Sequence, residues 1–369
     1  MKNLKILDKY ILSQVVGVTI VCILLFSIIW IAPEILLRTV QRVLNGTYTL
    51  EMGISAILCE IPKILANALP IGVFLGTLFT FDKLSKDSEI YIFRATGVSF
   101  SRMIAACLVF GAIVGGLTFF VKDRVIPYAS MKYDIVKRAN PVVHFVFPVT
   151  NEDGSMNRVI IVPEYRNHNV KDVVVLNFAS KSDGQGQSIL NDVYMGDFVR
   201  FNDNRWIIND AVRYKIASDG IYTRTGTYKN LEILNGIKAA HAYELMKAST
   251  MRERDMTNKT LKNVIRLMKE EGMDDEYRFM TNKYLQRFSG ALMSMLFVVL
   301  GALLGFSKPR EQRLIGFTGA ILTIFLYYIT MPFLDLLSEK GFLPPLLSAF
   351  LPAIAVITAI YFIKRHKGL

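Results

Sequence analysis

The hydrophobic positions of this chain are concentrated in six long stretches that contain no charged residue. Each stretch is about as long as a helix needs to cross roughly 30 Å of hydrocarbon. Buried helices of a soluble core are the alternative interpretation, but a soluble core rarely contains six such runs. The pattern therefore predicts six transmembrane helices, at residues 11–33, 64–81, 103–121, 288–307, 314–334 and 341–363.

Between the third and fourth stretches the pattern changes to short β-branched and aromatic runs separated by turn signals such as Asp183-Gly184 and Asp219-Gly220. Two of these runs, 198–201 and 205–208, are spaced as a hairpin. About eight short strands without helices indicate one small sandwich or jelly-roll domain. The predicted strands are residues 142–147, 158–162, 172–178, 189–194, 198–201, 205–208, 211–216 and 221–228.

Helical periodicity returns after the strands. Leu261, Val264, Ile265 and Met268 form one stripe of a helix capped by Thr257 or Asn258 and stopped by Gly272. The acidic run 274–276 then begins a helix that leads into the fourth span. Before the strands, the third span is predicted to continue outward as a helix around Pro127. The predicted domains are residues 1–122 (spans 1–3, with a cytoplasmic helix at 87–97), 123–240 (a β-jelly-roll with a helical lead-in), 241–286 (interfacial helices) and 287–369 (spans 4–6).

Positive charge is distributed unevenly between the loops. A net charge of +12 suggests nucleic acid as a partner, but its placement follows the positive-inside rule, which counts only the short loops. A cytoplasmic N-terminus gives thirteen basic residues in the inner segments (Lys2, Lys5, Lys9, Lys83, Lys86, Arg94, Arg102, Lys308, Arg310, Arg313, Lys364, Arg365 and Lys367) and four in the short outer loops (Arg38, Arg42, Lys63 and Lys340). This distribution predicts cytoplasmic termini and an insertion outside the membrane.

The inner connection between spans 2 and 3 has local signals for a short helix. Asp87 and Ser88 are residue types that cap helices, Glu89 lies in the first turn, and Gly97 suits a left-handed end. The apolar residues Ile90 and Phe93 share one face. The sequence therefore predicts an amphipathic helix under the membrane at 88–96, with a simple surface linker as the alternative.

Several kinds of chemistry are missing from the sequence. It has no Gly-x-x-x-x-Gly-Lys-Ser/Thr loop for ATP, no His-Glu-x-x-His and no Gly-x-Ser-x-Gly. Its cysteines lie in or beside spans, and its histidines are scattered, so no metal or cofactor is expected. No ionisable residue lies at mid-depth in a span, which disfavours an ion-coupled carrier. An energy source in a separate protein fits better than an enzyme activity of this chain.

Charged residues gather where spans 1 and 3 meet the outer surface. After span 1, Glu34, Arg38 and Arg42 follow one helical stripe. Arginines at this boundary suit recognition of lipid phosphates through charge-assisted bonds, and snorkelling at helix ends is the alternative interpretation. The basic residues considered for phosphate contact are Arg38, Arg42, Arg124, Lys132, Lys137 and Arg138.

These features occur together with motifs that resemble those of a known family. The segment Ser88-Glu89-Ile90-Tyr91-Ile92-Phe93-Arg94-Ala95-Thr96-Gly97-Val98-Ser99 resembles the Ser-Glu…Gly-(apolar)-Ser/Thr signature of the lipopolysaccharide export permeases, LptF/LptG (also called YjgP/YjgQ). The opening Leu7-Asp8-Lys9-Tyr10-Ile11 is similar to the family's Leu-Asp-Arg-Tyr. The C-terminal part, from Gly341 to Arg365, and the segment 261–277 are more similar to the G type than to the F type.

The resemblance implies a permease that pairs with a second LptF/LptG-type permease and a cytoplasmic ABC ATPase dimer, which binds the ATP. It implies that the 87–97 helix docks on the ATPase, with Glu89 at the position of the family's acid and Ser88, Ile90, Phe93, Arg94 and Gly97 around it. Arg42 and Arg138 match family positions that contact lipid phosphate. Where the G type has a lysine late in span 1, this chain has Glu34 or Ile35.

The expected function is therefore extraction of lipopolysaccharide from a bacterial inner membrane and its transfer, through a periplasmic jelly-roll, to bridge proteins of the LptC/LptA type. Two other classes remain as alternatives. One is an ABC-type permease for lipoprotein release or of the FtsX kind, although those usually have four spans. The other is a membrane enzyme that acts on lipid-linked substrates.

Overall fold

A computed structural model describes residues 2–31, 35–137, 145–151, 156–166, 169–180, 188–196, 198–202, 205–216, 222–307 and 314–368. The chain divides into two compact units, one formed by residues 1–137 and 278–369 and the other by residues 138–277. The first unit is helical and the second is built around a β-sheet.

The helical unit contains the six long apolar helices that the sequence predicted, and each is long enough to cross a membrane. These candidate spans are Ile6–Trp30, Leu50–Lys86, Phe100–Tyr133, Asp274–Gly305, Gly316–Glu339 and Pro345–Lys367. The helices of this unit are α1 (Lys2–Ile31), α2 (Leu37–Leu44), α3 (Leu50–Lys86), α4 (Glu89–Ala95), α5 (Phe100–Phe120), α6 (Ile126–Lys137), α9 (Asp274–Gly305), α10 (Leu314–Glu339) and α11 (Pro345–Lys367).

Spans 2 and 4 form the centre of this unit. The most apolar stretch of span 2 is 72% buried and that of span 4 is 61% buried, whereas that of span 5 is only 11% buried. Span 1 packs so closely on span 2 that a Cβ added at Gly76 would lie only 2.7 Å from the Cα of Thr19. Only glycine permits that distance, so the contact fixes α1 against α3 along a small-residue seam.

Span 3 changes helix type in its C-terminal part. A five-residue π-helical segment, Val121–Val125, joins α5 to α6. Pro127 in α6 has no N–H to continue the α-helical bonding, and the wider π turn accommodates that loss. Residues 123–137, which the sequence analysis placed in the lead-in of the β-domain, therefore continue span 3 and belong to the helical unit.

The described residues of the second unit form nine strands in one antiparallel sheet of order β1-β2-β5-β6-β8-β7-β4-β3, with β9 paired to β8. The strands are β1 (Phe145–Thr150), β2 (Met156–Val162), β3 (Glu164–Arg166), β4 (Asn169–Lys171), β5 (Val173–Ser180), β6 (Ser188–Gly196), β7 (Phe198–Asn202), β8 (Arg205–Ile216) and β9 (Tyr222–Asn235). β7 and β8 form the predicted hairpin. The inserted β-rich unit is thus confirmed, and the jelly-roll topology stays a prediction.

Two details of the strand prediction are wrong. Residues 205–208 and 211–216 form the single strand β8, because Asp210 adopts a φ of 52° without ending the pairing with β9. The short strands β3 and β4 were not predicted, because they lack the β-branched runs by which the other strands were identified.

The core of this unit lies between the sheet and α7 (Gly236–Ser249). Trp206 is 1% exposed, and its indole N–H donates to the carbonyl of Ala239 at 3.0 Å. Arg158 of β2 donates at 2.5 Å to the carbonyl of Ile233 in β9, a strand that is not its neighbour in the sheet. Desolvation lowers the pKa of Arg158. This contact shows that the sheet curls around its core.

The predicted helix after the strands is α8 (Asn258–Glu270). The Thr257 hydroxyl caps it by accepting from the amide of Thr260 at 3.2 Å, and Gly272 follows with a φ of 70°. Both features agree with the prediction. α9 then begins at Asp274 and runs without a break into span 4, as the acidic run 274–276 indicated.

Candidate functional site

The connection between spans 2 and 3 forms the predicted short helix, α4. Ser88, which precedes it, has a left-handed φ of 63° and makes no side-chain capping bond, while Asp87 follows the end of α3. The expectation that these two residues cap α4 by their side chains is therefore wrong, because the chain reverses at Ser88 within a tight turn. Gly97 has a φ of 87°, in agreement with its predicted left-handed end.

α4 buries one face in the core of the helical unit. Ile90 is fully buried in a cluster that includes Leu84 of α3, Phe100 of α5 and Phe306 after α9. Phe93 is partly buried against the same cluster, so the two residues share a face as predicted. Ile92 is 58% exposed. α4 is thus anchored by its apolar face, and the opposite face is open for a partner.

The polar side chains of α4 reach two different parts of the bundle. The Tyr91 hydroxyl donates to the carbonyl of Ser307 at 2.6 Å, and the guanidinium of Arg94 lies 5.9 Å from the centre of the Phe306 ring. On the other side, the Tyr10 hydroxyl lies 2.8 and 3.0 Å from the two carboxylate oxygens of Glu89. α4 therefore connects the C-terminal end of span 4 with the N-terminal end of span 1.

A second polar contact ties span 1 to span 3. The guanidinium of Arg102 donates two hydrogen bonds to the Asp8 carboxylate, at 2.8 and 2.6 Å. Sequence reasoning did not assign a role to Asp8, Tyr10 or Arg102. The one available signal was the resemblance of the opening Leu-Asp-Lys-Tyr to a family motif.

Tyr10 and Glu89 also line an open groove of about 490 Å³, together with the apolar side chains of Ile6, Leu7, Ile92 and Phe93. This groove has one carboxylate on an otherwise apolar surface. Such a surface suits a partner that brings one cation and an apolar side chain.

Of the basic residues predicted to contact phosphate, Arg42, Arg124 and Lys132 each have a separate neighbour in the structure. Arg38 is exposed on α2, and Arg42, one turn later, donates to the Tyr48 hydroxyl at 2.9 Å. Arg124 is 72% exposed beside Asp123 at 3.4 Å, and the Lys132 ammonium lies 4.8 Å from the centre of the Tyr128 ring. The Lys137 side chain, Arg138 and Glu34 lie outside the described residues.

A polar cluster that the sequence did not predict joins spans 4 and 5. Asp335 of α10 accepts from the Asn282 amide at 2.8 Å and from the Gln286 amide at 2.7 Å, and it forms an ion pair with Lys283. Asp335 lies one residue beyond the charge-free stretch 314–334. The part of the chain that the structure describes contains no group of side chains that could hold a metal ion.

Comparison with known proteins identifies the family. A family model described as "Lipopolysaccharide export system permease LptF/LptG" matches residues 9–365. The lipopolysaccharide export system permease protein LptF of Escherichia coli (strain K12) is 21% identical over 352 residues, which cover 93% of this chain and 90% of that protein. The protein of the same name from Shigella flexneri has the same identity and coverage.

These relatives carry the F-type name, whereas the C-terminal motifs favoured the G type, and the choice between the types stays a prediction. The match to the family covers nearly the whole chain. The chain therefore belongs to the lipopolysaccharide export permease family LptF/LptG and is a multi-pass inner-membrane permease of lipopolysaccharide export, a transporter rather than an enzyme.

Proposed function

We propose that this permease works as one half of an ATP-driven lipid extractor. A separate cytoplasmic ABC ATPase dimer supplies the energy, and a second LptF/LptG-type permease completes the membrane part. Both termini and α4 face the cytoplasm, and the β-unit faces the periplasm. The excess of Lys and Arg in the predicted inner segments supports this orientation.

The observation that carries the proposal is the construction of α4. A helix of seven residues is too short to be stable alone, yet the burial of Ile90 and the left-handed residues at both ends hold it in place. Its outward side offers Glu89, Ile92 and an exposed Arg94. In this proposal, a helix fixed on one face and open on the other receives the movement of the ATPase through Ser88–Gly97.

The lipid is held by charge at the outer ends of the spans and by apolar surface below them. The phosphates bind to basic residues that lie after spans 1 and 3, namely Arg38, Arg42, Arg124, Lys132, Lys137 and Arg138. The contact of Arg42 with Tyr48 orients its guanidinium and leaves other N–H groups for a phosphate. The acyl chains lie against the exposed apolar faces of α1 and α10, at residues such as Ile28 and Phe325.

The β-unit receives the lipid and passes it to bridge proteins of the LptC/LptA type. Among the described residues, β9 pairs only with β8, so the other edge of this 14-residue strand carries backbone groups that a partner strand can pair with. Most of the β9 side chains are exposed. Pairing of edge strands would extend the sheet from this protein into the bridge.

Two variants of Glu89 test the coupling role. Glu89→Ala and Glu89→Lys are expected to reduce the ATPase that co-purifies with the chain and to reduce lipopolysaccharide-stimulated ATP hydrolysis, with the larger loss for lysine. Glu244→Lys, which makes the same charge change at an exposed position of α7, should leave both unchanged. Normal assembly and normal stimulated hydrolysis in Glu89→Lys would contradict the proposal. The proteins that co-purify also distinguish the alternatives, because a lipoprotein-release system would not include a second six-span permease.

A further inference from the structure

The inner end of span 1 contacts both α4 and α5, which follow one another in the chain after span 2. Asp8 forms two hydrogen bonds with Arg102 at the start of α5, and Tyr10 donates to Glu89 at the start of α4. These residues belong to the opening motif Leu7-Asp8-Lys9-Tyr10, for which the sequence analysis found no role. The motif thus joins three segments that are far apart in sequence.

The two attachments of α4 differ in strength. On the span 4 side, the Tyr91 hydroxyl bond to Ser307 is partly buried, and the rings of Tyr91 and Phe306 lie 5.8 Å apart. On the span 1 side, the bond of Tyr10 to Glu89 is exposed. An exposed hydrogen bond competes with water and contributes less than a buried one. The span 4 side is therefore the fixed attachment, and the span 1 side is the one that a partner can alter.

Tyr10 leaves Glu89 able to bind a partner. A carboxylate has about four acceptor positions on its two oxygens, and the single hydroxyl of Tyr10 uses only a part of them. A cationic donor from a partner can bind to the remaining positions while Tyr10 stays in contact. Glu89 can then hold the partner and span 1 at the same time.

We propose that Asp8 and Tyr10 are positioning residues that make span 1 move together with α4. The Asp8–Arg102 pair sets the position of the inner end of span 1, and the Tyr10 hydroxyl transmits the displacement of Glu89 to it. Span 1 carries exposed apolar residues such as Leu24 and Ile28, so its movement changes the surface available to acyl chains. This inference rests on the proposed coupling role of α4.

Tyr10→Phe removes only the hydroxyl, and Tyr361→Phe is a matched control at an exposed tyrosine of α11. With the co-purifying subunits in proteoliposomes, Tyr10→Phe should retain assembly and ATP hydrolysis within about twofold, while lipopolysaccharide released per ATP falls about threefold to tenfold. Asp8→Arg should show a similar loss, and the added exchange Arg102→Asp should restore most of it. The inference is overturned if Tyr10→Phe releases as much lipopolysaccharide per ATP as Tyr361→Phe. It is also overturned if Tyr10→Phe loses binding of the ATPase and the release per ATP does not fall.

Hydrogen exchange of the chain alone tests the link without any partner. Tyr10→Phe is expected to raise the exchange rates of the amides of 89–95 about threefold to tenfold, and Tyr361→Phe should not change them. Unchanged rates overturn the inference even if the ATPase co-purifies. Faster exchange in a chain that binds no ATPase supports the link and contradicts the proposed coupling instead.

Discussion

The pairing of Asp335 with span 4 provides a direct test of how the N-terminal part of span 4 and the C-terminal part of span 5 are held together. Asp335 accepts hydrogen bonds from Asn282 and Gln286 and forms an ion pair with Lys283. Its replacement by asparagine removes the charge but nearly preserves the shape. The Lys283 ammonium then remains in a partly buried position without its carboxylate.

The size of the effect follows from burial. Breaking a buried ion pair by removing one partner costs about 3–5 kcal/mol. The side chains of Lys283 and Asp335 retain 23% and 15% exposure, so water offsets a part of that cost. We therefore expect Asp335→Asn to lower the free energy of unfolding by about 2–3 kcal/mol. Glu339→Gln, one turn further along α10, is the control, because Glu339 lies 3.9 Å from an exposed Lys340 and should change the free energy by less than about 0.5 kcal/mol.

The assay is reversible unfolding of the purified chain in mixed micelles by titration with SDS, followed by circular dichroism. The double variant Asp335→Asn with Lys283→Met should be more stable than Asp335→Asn alone, because it leaves no unpaired charge in the bundle and keeps an acceptor oxygen for Asn282 and Gln286. The assigned ion pair is refuted if Asp335→Asn unfolds like Glu339→Gln. It is also refuted if the double variant loses as much free energy of unfolding as Asp335→Asn and Lys283→Met, each measured singly, lose together.

Two further predictions concern α4 and the β-unit. Ile90→Ala should destabilise the chain by about 2–4 kcal/mol because Ile90 is fully buried. Ile92 is 58% exposed, so Ile92→Ala should leave SDS unfolding unchanged and weaken co-purification of the ATPase. The opposite pattern would contradict the assignment of the buried and open faces of α4. Asp192→Asn should cost about 1–2 kcal/mol, since Asp192 is buried and accepts two bonds from Arg213 at 3.0 and 2.9 Å, while the 30% exposure of Arg213 lets water offset a part of the loss. These bonds raise the pKa of Arg213 above its ordinary value. Their contribution to the free energy of unfolding is therefore fully present at any pH below the ordinary pKa of arginine and is lost only at higher pH. The difference in free energy of unfolding between Asp192→Asn and wild type should stay constant from about pH 6 to pH 10 in chemical denaturation.

The long helices were predictable from sequence because their signal is local and strong. Their lengths were not, since the charge-free criterion stops at the first charged residue while the helix continues. Span 2 was predicted at 64–81, whereas α3 runs from Leu50 to Lys86 and ends where the inner turn begins. Charged residues at helix ends lie beyond the hydrocarbon and do not oppose helix formation.

The strands were less predictable, because turn-forming residues also occur inside paired strands. Asn209 and Asp210 suggested a break between two strands. In the sheet, Asn209 pairs with Asn230 and Ala211 with Tyr228, so the ladder to β9 continues on both sides of the left-handed Asp210. Tertiary pairing overrides the local preference at this position.

The candidate site was predictable only in its local part. Residues 88–97 carry their own helix signals, and they do form α4 between two left-handed residues. The contacts that tie the start of span 1 to α4 and α5 join residues 79 positions apart for Tyr10 and Glu89 and 94 apart for Asp8 and Arg102. No periodicity or spacing reports such pairs, because only the packing of spans 1, 2 and 3 brings them together.

The central claim is that this permease moves lipopolysaccharide with energy from ATP, through a complex that it forms with other subunits. The most direct measurement is release of lipopolysaccharide from proteoliposomes that contain the chain with its co-purifying subunits, with and without ATP. We expect release that requires ATP and that Glu89→Lys strongly reduces. Release of equal rate without ATP, or with Glu89→Lys in place of the wild type, would contradict it.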